Sequence, residues 1–376
     1  MREAQTVKRL LPAPWRPLAR RAYYGAMPSS QRRARVAAHL RGEAGSCEWG
    51  GSPLYGRLLR AAAADVEARG DCWQVLSQRP LGAAAYEGLA MRLMAGVHRI
   101  VLEGGAPDLA AYYPSAGGTR DDDPWPAFAA TVHAHRERLV DLLDRPVQTN
   151  EVGRSAALVG GFLVVARDTG LPLQLLEVGA SAGLNLRWPE YRYRAGDAAW
   201  GDPASPVQLE GAYAAGVPPF AVEARIAGRR GCDAAPLDPS SEEDRLSLMA
   251  FLWADQRRRF EIQRGALEIA QRVPVTVDRA DAADWVAARL AWRAPGTATV
   301  VFHSIVMPYL PDLARARFRR VLERAGAQAT PDAPLAWLRL EWGDGDADLH
   351  LTTWPGGETR LLARANNLGW KVRWLA

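Results

Sequence analysis

The stretch 173–183 constrains this chain more than any other. Leu173-Gln-Leu-Leu-Glu-Val178 is a compact run of strand-forming residues, and Gly179-Ala-Ser-Ala-Gly183 follows it without a spacer. A strand that ends in a glycine loop and re-enters an apolar Leu184-Asn185-Leu186 reads as a strand–loop–helix unit. Parallel sheets are assembled from such units, because parallel neighbours need a long crossover that is most often a helix. Ligands of those sheets sit at the carboxyl ends of the strands, which is where this loop falls.

The surrounding pattern agrees. Helical spacing of apolar residues marks 57–69, 81–103 and 127–144, with Leu89, Leu93, Val97 and Val101 on one stripe. Asn150 is a good N-cap for a helix over 151–168. Beyond the glycine loop, 187–220 is rich in Pro, Gly and aromatics and reads as a long insertion. Strands are expected at 221–226, 273–277, 297–302, 335–340, 349–353 and 370–374, with 360–365 open between strand and helix. Helices are expected at 282–290 and 313–325. Ser240 with Glu243 forms a capping box for a further helix, its stripe running through Leu246, Met249, Trp253 and Phe260. The fold class is therefore α/β. A mostly parallel sheet with helices on both faces and an antiparallel edge occupies 146–376, preceded by a helical domain over 1–145.

Composition narrows the function classes. Hydrophobic residues make up 48% and charged residues 24% of the 376, ordinary for a folded domain. The longest apolar runs are too short to span a bilayer, and the basic start lacks an apolar leader, so a cytoplasmic protein without a membrane partner is expected. Cys47, Cys72 and Cys232 are far apart, and His133 and His135 fall on different helix faces, so no metal is expected. The net charge of +5 rests almost wholly on arginine, and Arg16–Arg41 gathers seven of them. With few aromatics among them and no RNA-binding signature, they read as the solvated side of a helix pair, so a nucleic-acid partner is not expected.

Two chemistries fit the loop. An acid at the strand end can accept from an ammonium or from ribose hydroxyls, while N–H groups of a following helix face the ligand. Glu177-Val-Gly179-Ala-Ser181-Ala-Gly183 resembles the first motif of class I S-adenosylmethionine-dependent methyltransferases, with Ser181 in place of the middle glycine. The same letters spell G-x-S-x-G, the nucleophile elbow of α/β-hydrolases, in which Ser181 would attack a carbonyl with His303 or His350 as base. Glu177 argues against a hydrolase, since a carboxylate there opposes a developing oxyanion. A loop that only packs is the plain alternative.

Further strings resemble a family of uncharacterised bacterial proteins, a domain of unknown function with a methyltransferase-like fold. They are Ser52-Pro-Leu-Tyr55, Tyr112-Tyr-Pro-Ser115, Gln148-Thr-Asn-Glu-Val-Gly-Arg154, Glu177–Asn185, Phe302-His-Ser304 and Thr353-Trp-Pro-Gly-Gly357. The first 45 residues fall outside the resemblance. It implies a Rossmann-like class I methyltransferase sheet, S-adenosylmethionine as cofactor and an unidentified small-molecule acceptor.

On that reading Glu177, Gly179, Ser181, Gly183 and Asn185 surround the methionine part. Asp233 holds the ribose, with Glu210 as the fallback, and Asp281-Ala282 meets the adenine. Gln148, Asn150 and Arg154 line the pocket, Arg154 facing a carboxylate. His303 ends a strand where a base can take a proton from an acceptor, and Tyr309 closes the same pocket. Asp233 and Asp281 can equally serve as a turn residue and a helix cap, and His303 as a hydrogen-bonded structural residue. A serine hydrolase using Ser181, or a cofactor-binding protein without catalysis, are the competing functions.

Overall fold

The computed structural model describes residues 29–78 and 88–376, so Arg16, Arg20, Arg21 and the start of the 81–103 helix lie outside the described residues. Two compact units form. The described part of the first runs to Gln148 and includes Leu246–Phe260; the second holds Thr149–Arg245 and Glu261–Ala376.

The first unit is helical: α1 (Ser29–Trp49), α2 (Pro53–Glu67), α3 (Asp71–Ser77), α4 (Leu89–Leu102), α5 (Pro107–Ala110), α6 (Trp125–Ala134) and α7 (Arg136–Leu142). Helix α1 buries Val36, Ala37, Leu40, Ala44 and Cys47, one face at helical spacing. Arg35 and Arg41 are exposed, and Arg41 pairs with Glu67 at 2.6 Å. Helix α2 starts on a Ser52 cap with Pro53 in its first turn. The expected helix over 127–144 is two helices, because His135 leaves helical geometry at φ −117°.

Residues 246–260 also belong to this unit. Asp255 accepts the Ser52 hydroxyl at 2.6 Å and the Leu54 N–H at 3.0 Å. His98, fully buried, has Nδ1 within 3.1 Å of the Ala250 carbonyl and 3.0 Å of the Leu252 carbonyl. These buried bonds tie a remote segment to the helices. The stripe expected to run from Leu246 to Phe260 is accordingly interrupted, with α9 at Glu242–Ala250 and α10 at Arg257–Arg272. Ser241, one residue later than expected, caps the first of these by accepting the Asp244 N–H at 3.3 Å.

The second unit is built on a nine-stranded sheet. Its strands, in chain order, are β1 (Leu173–Val178), β5 (Tyr213–Ala215), β6 (Ile226–Asp233), β7 (Thr276–Arg279), β8 (Ala298–Ser304), β9 (Leu335–Trp342), β10 (Ala347–Trp354), β11 (Glu358–Ala365) and β12 (Val372–Trp374). Their spatial order is β5-β12-β11-β10-β9-β8-β1-β6-β7. Strands β7, β6, β1, β8 and β9 run parallel, and β10, β11 and β12 continue as an antiparallel meander. The segment 360–365 is thus strand. The strand expected at 221–226 instead begins at Ile226. Residues 192–210 of the insertion form a separate sheet of β2 (Arg192–Ala195), β3 (Ala198–Trp200) and β4 (Gln208–Glu210).

Helices cover both faces of the large sheet. On one, α11 (Ala282–Leu290) and α12 (Asp312–Gly326) bury Trp285, Val286, Phe318 and Leu322 against Leu176, Val178, Val301 and Trp337. On the other lies α8 (Ser155–Thr169), where Phe162 meets Phe302 edge-on at 4.9 Å. Gly161 permits that approach: a Cβ there would stand 2.4 Å from Leu338. No helix among the described residues is long and apolar enough to cross a membrane.

The chain leaves β1 for β6 and β7 on one side and returns to β8 on the other. That reversal makes the carboxyl ends of β1 and β8 the switch point of the sheet, the place where ligands of such sheets bind.

Candidate functional site

The glycine loop lies at this switch point, and its main-chain donors are already engaged. Gly179 and Ala180 donate to the Cys232 carbonyl at 2.9 and 3.0 Å, and Gly183 donates to Ala180 at 2.7 Å. Ser181 N–H donates to Asp233 Oδ2 at 2.9 Å. Asn150 Oδ1 accepts from both Ala182 at 3.2 Å and Leu184 at 3.0 Å. All six N–H groups from 179 to 184 therefore serve the protein itself. The expectation of open donors fails here, and the helix behind the loop is a short 3₁₀ helix, Asn185–Glu190. Asn150 is a clamp on the loop, not the simple helix cap that its position suggested.

Backbone conformation explains the glycines. Gly179 and Gly183 both take φ +69°, and Ser181 takes φ +52°. Left-handed geometry is costly for serine, and the Asp233 bond holds it there. A Cβ on Gly179 would also stand 2.5 Å from Val306 Cγ2, so the segment after β8 packs directly on the loop.

Three acids end three adjacent parallel strands. Glu177 in β1 is 2% exposed, and its Oε2 is buried without a hydrogen-bond partner. Burial pushes its carboxyl well above the ordinary range and Asp233 adds to this, against the pull of Arg187 and Arg154. Asp233 ends the neighbouring β6, where Oδ1 accepts the Ala235 N–H at 2.8 Å while Oδ2 holds Ser181. Asp281 follows β7 and caps α11, accepting from Ala283 at 2.9 Å and Asp284 at 3.1 Å, with Ala282 the first helical residue. Glu210, the fallback for Asp233, lies instead in the small sheet.

Two arginines stand by Glu177. Arg154 Nε donates to the Asn367 carbonyl at 2.9 Å and its Nη1 to the Ser304 carbonyl at 3.1 Å. Arg187, 1% exposed, donates to the carbonyls of Val273, Ala182 and Gly183. Nothing in the sequence marked Arg187 as buried. Asn185 accepts the Ser155 hydroxyl at 2.7 Å and so fixes the turn behind the loop. Gln148 is buried and belongs to the first unit.

His303 cannot be the base expected of it. The ring is fully buried, and Trp337, whose indole N–H can only donate, gives that proton to Nε2 at 3.0 Å. Nδ1 must then carry the ring proton, which it donates to Glu341 Oε1 at 2.7 Å. Both nitrogens are committed. Glu341, which the sequence gave no reason to single out, also accepts from Val306 at 2.8 Å and Met307 at 3.2 Å. It thereby fixes the turn after Ile305, a β-branched residue held at φ +53°. Tyr309 lies on that segment and is 54% exposed.

Two of the groups that the hydrolase reading calls on are engaged elsewhere. The N–H after Ser181, the one an oxyanion hole requires, belongs to Asn150. His303 has no free nitrogen for the Ser181 hydroxyl.

Fold and site together define an α/β protein with a mostly parallel sheet and an acid-lined glycine loop at its switch point. Residues 37–374 match the family described as "uncharacterized protein conserved in bacteria" (DUF2332), and the chain belongs to that family. No curated protein and no solved structure matches it.

Proposed function

We propose that the second unit binds S-adenosylmethionine and transfers its methyl group to a small-molecule acceptor. The observation that carries this reading is the Glu177 carboxyl, buried at the end of β1 with Oε2 unpartnered beside a loop that offers no free N–H. Such a loop does not suit a phosphate, which takes several main-chain donors. It suits a ligand that brings its own donors and positive charge. An ammonium and a ribose diol meet that description, and Asp233 on the next strand and Asp281 on the one after it extend the row of acceptors.

The donor set fits the cofactor part by part. Glu177 takes the ammonium, and Arg154 supplies charge for the methionine carboxylate. Asp233 takes the ribose hydroxyls on the lone pairs its main-chain bonds leave over, and Asp281-Ala282 borders the adenine. When bound, the cofactor supplies an electrophilic methyl group on a sulfonium. The protein's own part is to hold and align, which by itself lowers the barrier of a bimolecular transfer substantially. No base is assigned, since His303 is locked by Trp337 and Glu341.

Calorimetry of the full chain with S-adenosylmethionine and S-adenosylhomocysteine tests the reading. Binding that Asp233→Ala abolishes in a folded protein is expected, and no binding of either compound overturns it. Binding without turnover over a broad acceptor panel would reduce the function to cofactor binding. Labelling of Ser181 by a fluorophosphonate probe would establish the hydrolase instead.

A further inference from the structure

We infer that Glu177 makes the site selective for cations by giving up a proton in exchange for the ligand's positive charge. The inference rests on the proposed function in taking an ammonium-bearing ligand at this position. Its geometric basis is the surroundings of one carboxyl group. Glu177 is 2% exposed and its Oε2 meets no donor. The nearest loop N–H groups are spent on Cys232 O, Asp233 and Asn150, so the main chain cannot stabilise a negative charge there.

The charged groups around it do not neutralise it either. Asp233 on β6 disfavours ionisation. Arg187 on the 185–190 turn favours it, but bonds only to main-chain carbonyls among its hydrogen bonds here. Arg154 on the 152–154 turn also favours ionisation, and it too reaches carbonyls, those of Asn367 and Ser304. Tyr191, fully buried and interacting with Arg187, stays neutral and adds no charge. Burial outweighs the two guanidiniums, and the ligand-free group holds its proton.

An ammonium arriving at Oε2 reverses that balance, since an opposite charge within hydrogen-bond range favours the carboxylate. The O–H bond of Glu177 breaks, its proton leaves to solvent, and a charge-assisted bond to the ligand forms. An anionic ligand gains nothing from the exchange and meets Asp233 as well. A neutral one binds without moving the proton.

The experiment is calorimetry of the whole protein with S-adenosylmethionine in two buffers of different ionisation enthalpy, repeated with 5′-methylthioadenosine, which lacks the amino-acid part. About one proton should be released with the first ligand and none with the second. Below the Glu177 pKa, S-adenosylmethionine affinity should rise about tenfold per pH unit. Glu177→Gln should abolish the release and the pH slope while leaving 5′-methylthioadenosine affinity unchanged. S-adenosylmethionine binding without proton release in the unmutated protein overturns this inference and leaves the functional reading standing. Failure of both ligands to bind overturns the two together.

Discussion

Trp337 donates its indole N–H to Nε2 of His303 at 3.0 Å, and this one bond decides what the histidine can do. It fixes the Nδ1–H tautomer and aims the ring at Glu341, which in turn holds Val306 and Met307. The consequence is a relay of position from β9 through β8 to the turn that packs on Gly179. Trp337→Phe would leave a buried acceptor unpaired, at a cost of about 1–3 kcal/mol. Chemical denaturation should register that loss. Nitrogen NMR of the unmutated protein should find the ring proton on Nδ1 and none on Nε2, and a protonated Nε2 would refute the tautomer.

Asn150 carries a comparable load from the other side of the loop. Its single oxygen accepts two buried N–H groups, so Asn150→Ala strands both. The expected cost is about 2–4 kcal/mol by urea unfolding, roughly two unsatisfied donors. Asn150→Asp keeps the acceptor and should retain the loop, which cofactor affinity and near-ultraviolet dichroism would report. Equal losses in the two variants would show that the bonds are not what matters.

Gly179 is required twice over, by φ +69° and by the Val306 side chain against it. Gly179→Ala should cost about 2 kcal/mol or more, the left-handed penalty plus the clash. Adding Val306→Ala removes the clash alone, so the double variant should be more stable than the sum of the single changes implies. A coupling of about 0.5–3 kcal/mol is expected from denaturation of the four proteins, and strict additivity would contradict the contact.

Much of this was legible in the sequence. The run 173–178 followed by glycine announced a parallel sheet, and the helix at 282–290 was found at its observed limits. Strand β6 was not, for a physical reason. It carries Gly228, Arg229, Arg230 and Gly231 between two neighbours, and ion pairs to Glu190 and Asp278 replace the apolar contacts that make a strand recognisable. The site was legible as a set of positions but not as a set of bonds. Asn150 and Asp233 reach the loop from 32 and 52 residues away, and Trp337 reaches His303 from 34. No local pattern encodes such pairings, and they turned an expected base into a support and expected open donors into closed ones.

Asp278 aligns two of the strands that carry the acids. It receives two bonds from Arg230 on β6 at 2.7 Å and one from Trp285 at 2.7 Å, and these hold its carboxyl well below the usual range. A depressed carboxylate stabilises the fold above its ordinary pKa of about 4 and loses that contribution as pH falls through the lower folded value. Asp278→Asn should therefore be about 1–3 kcal/mol less stable near neutrality, with the difference shrinking below pH 4. Urea unfolding from pH 7 to pH 2 measures it, and a gap that persists undiminished in acid would sever it from ionisation.

Glu177 should show the opposite sign. Its folded carboxyl is raised, chiefly by burial, while the unfolded chain ionises in the ordinary range near about 4.3. Between those two values the folded state binds a proton that the unfolded state does not. The contribution is complete below the unfolded pKa and fades as pH rises through the window, by up to about 1.4 kcal/mol per pH unit. Glu177→Gln removes the titration and keeps the shape, so its stability should fall less steeply between pH 5 and pH 8. The variant should overtake the unmutated protein toward the alkaline end, because an ionised carboxylate facing Asp233 without a donor is costlier than an amide. Parallel slopes for the two proteins would mean that Glu177 is already ionised in the fold, with the two guanidiniums outweighing its burial.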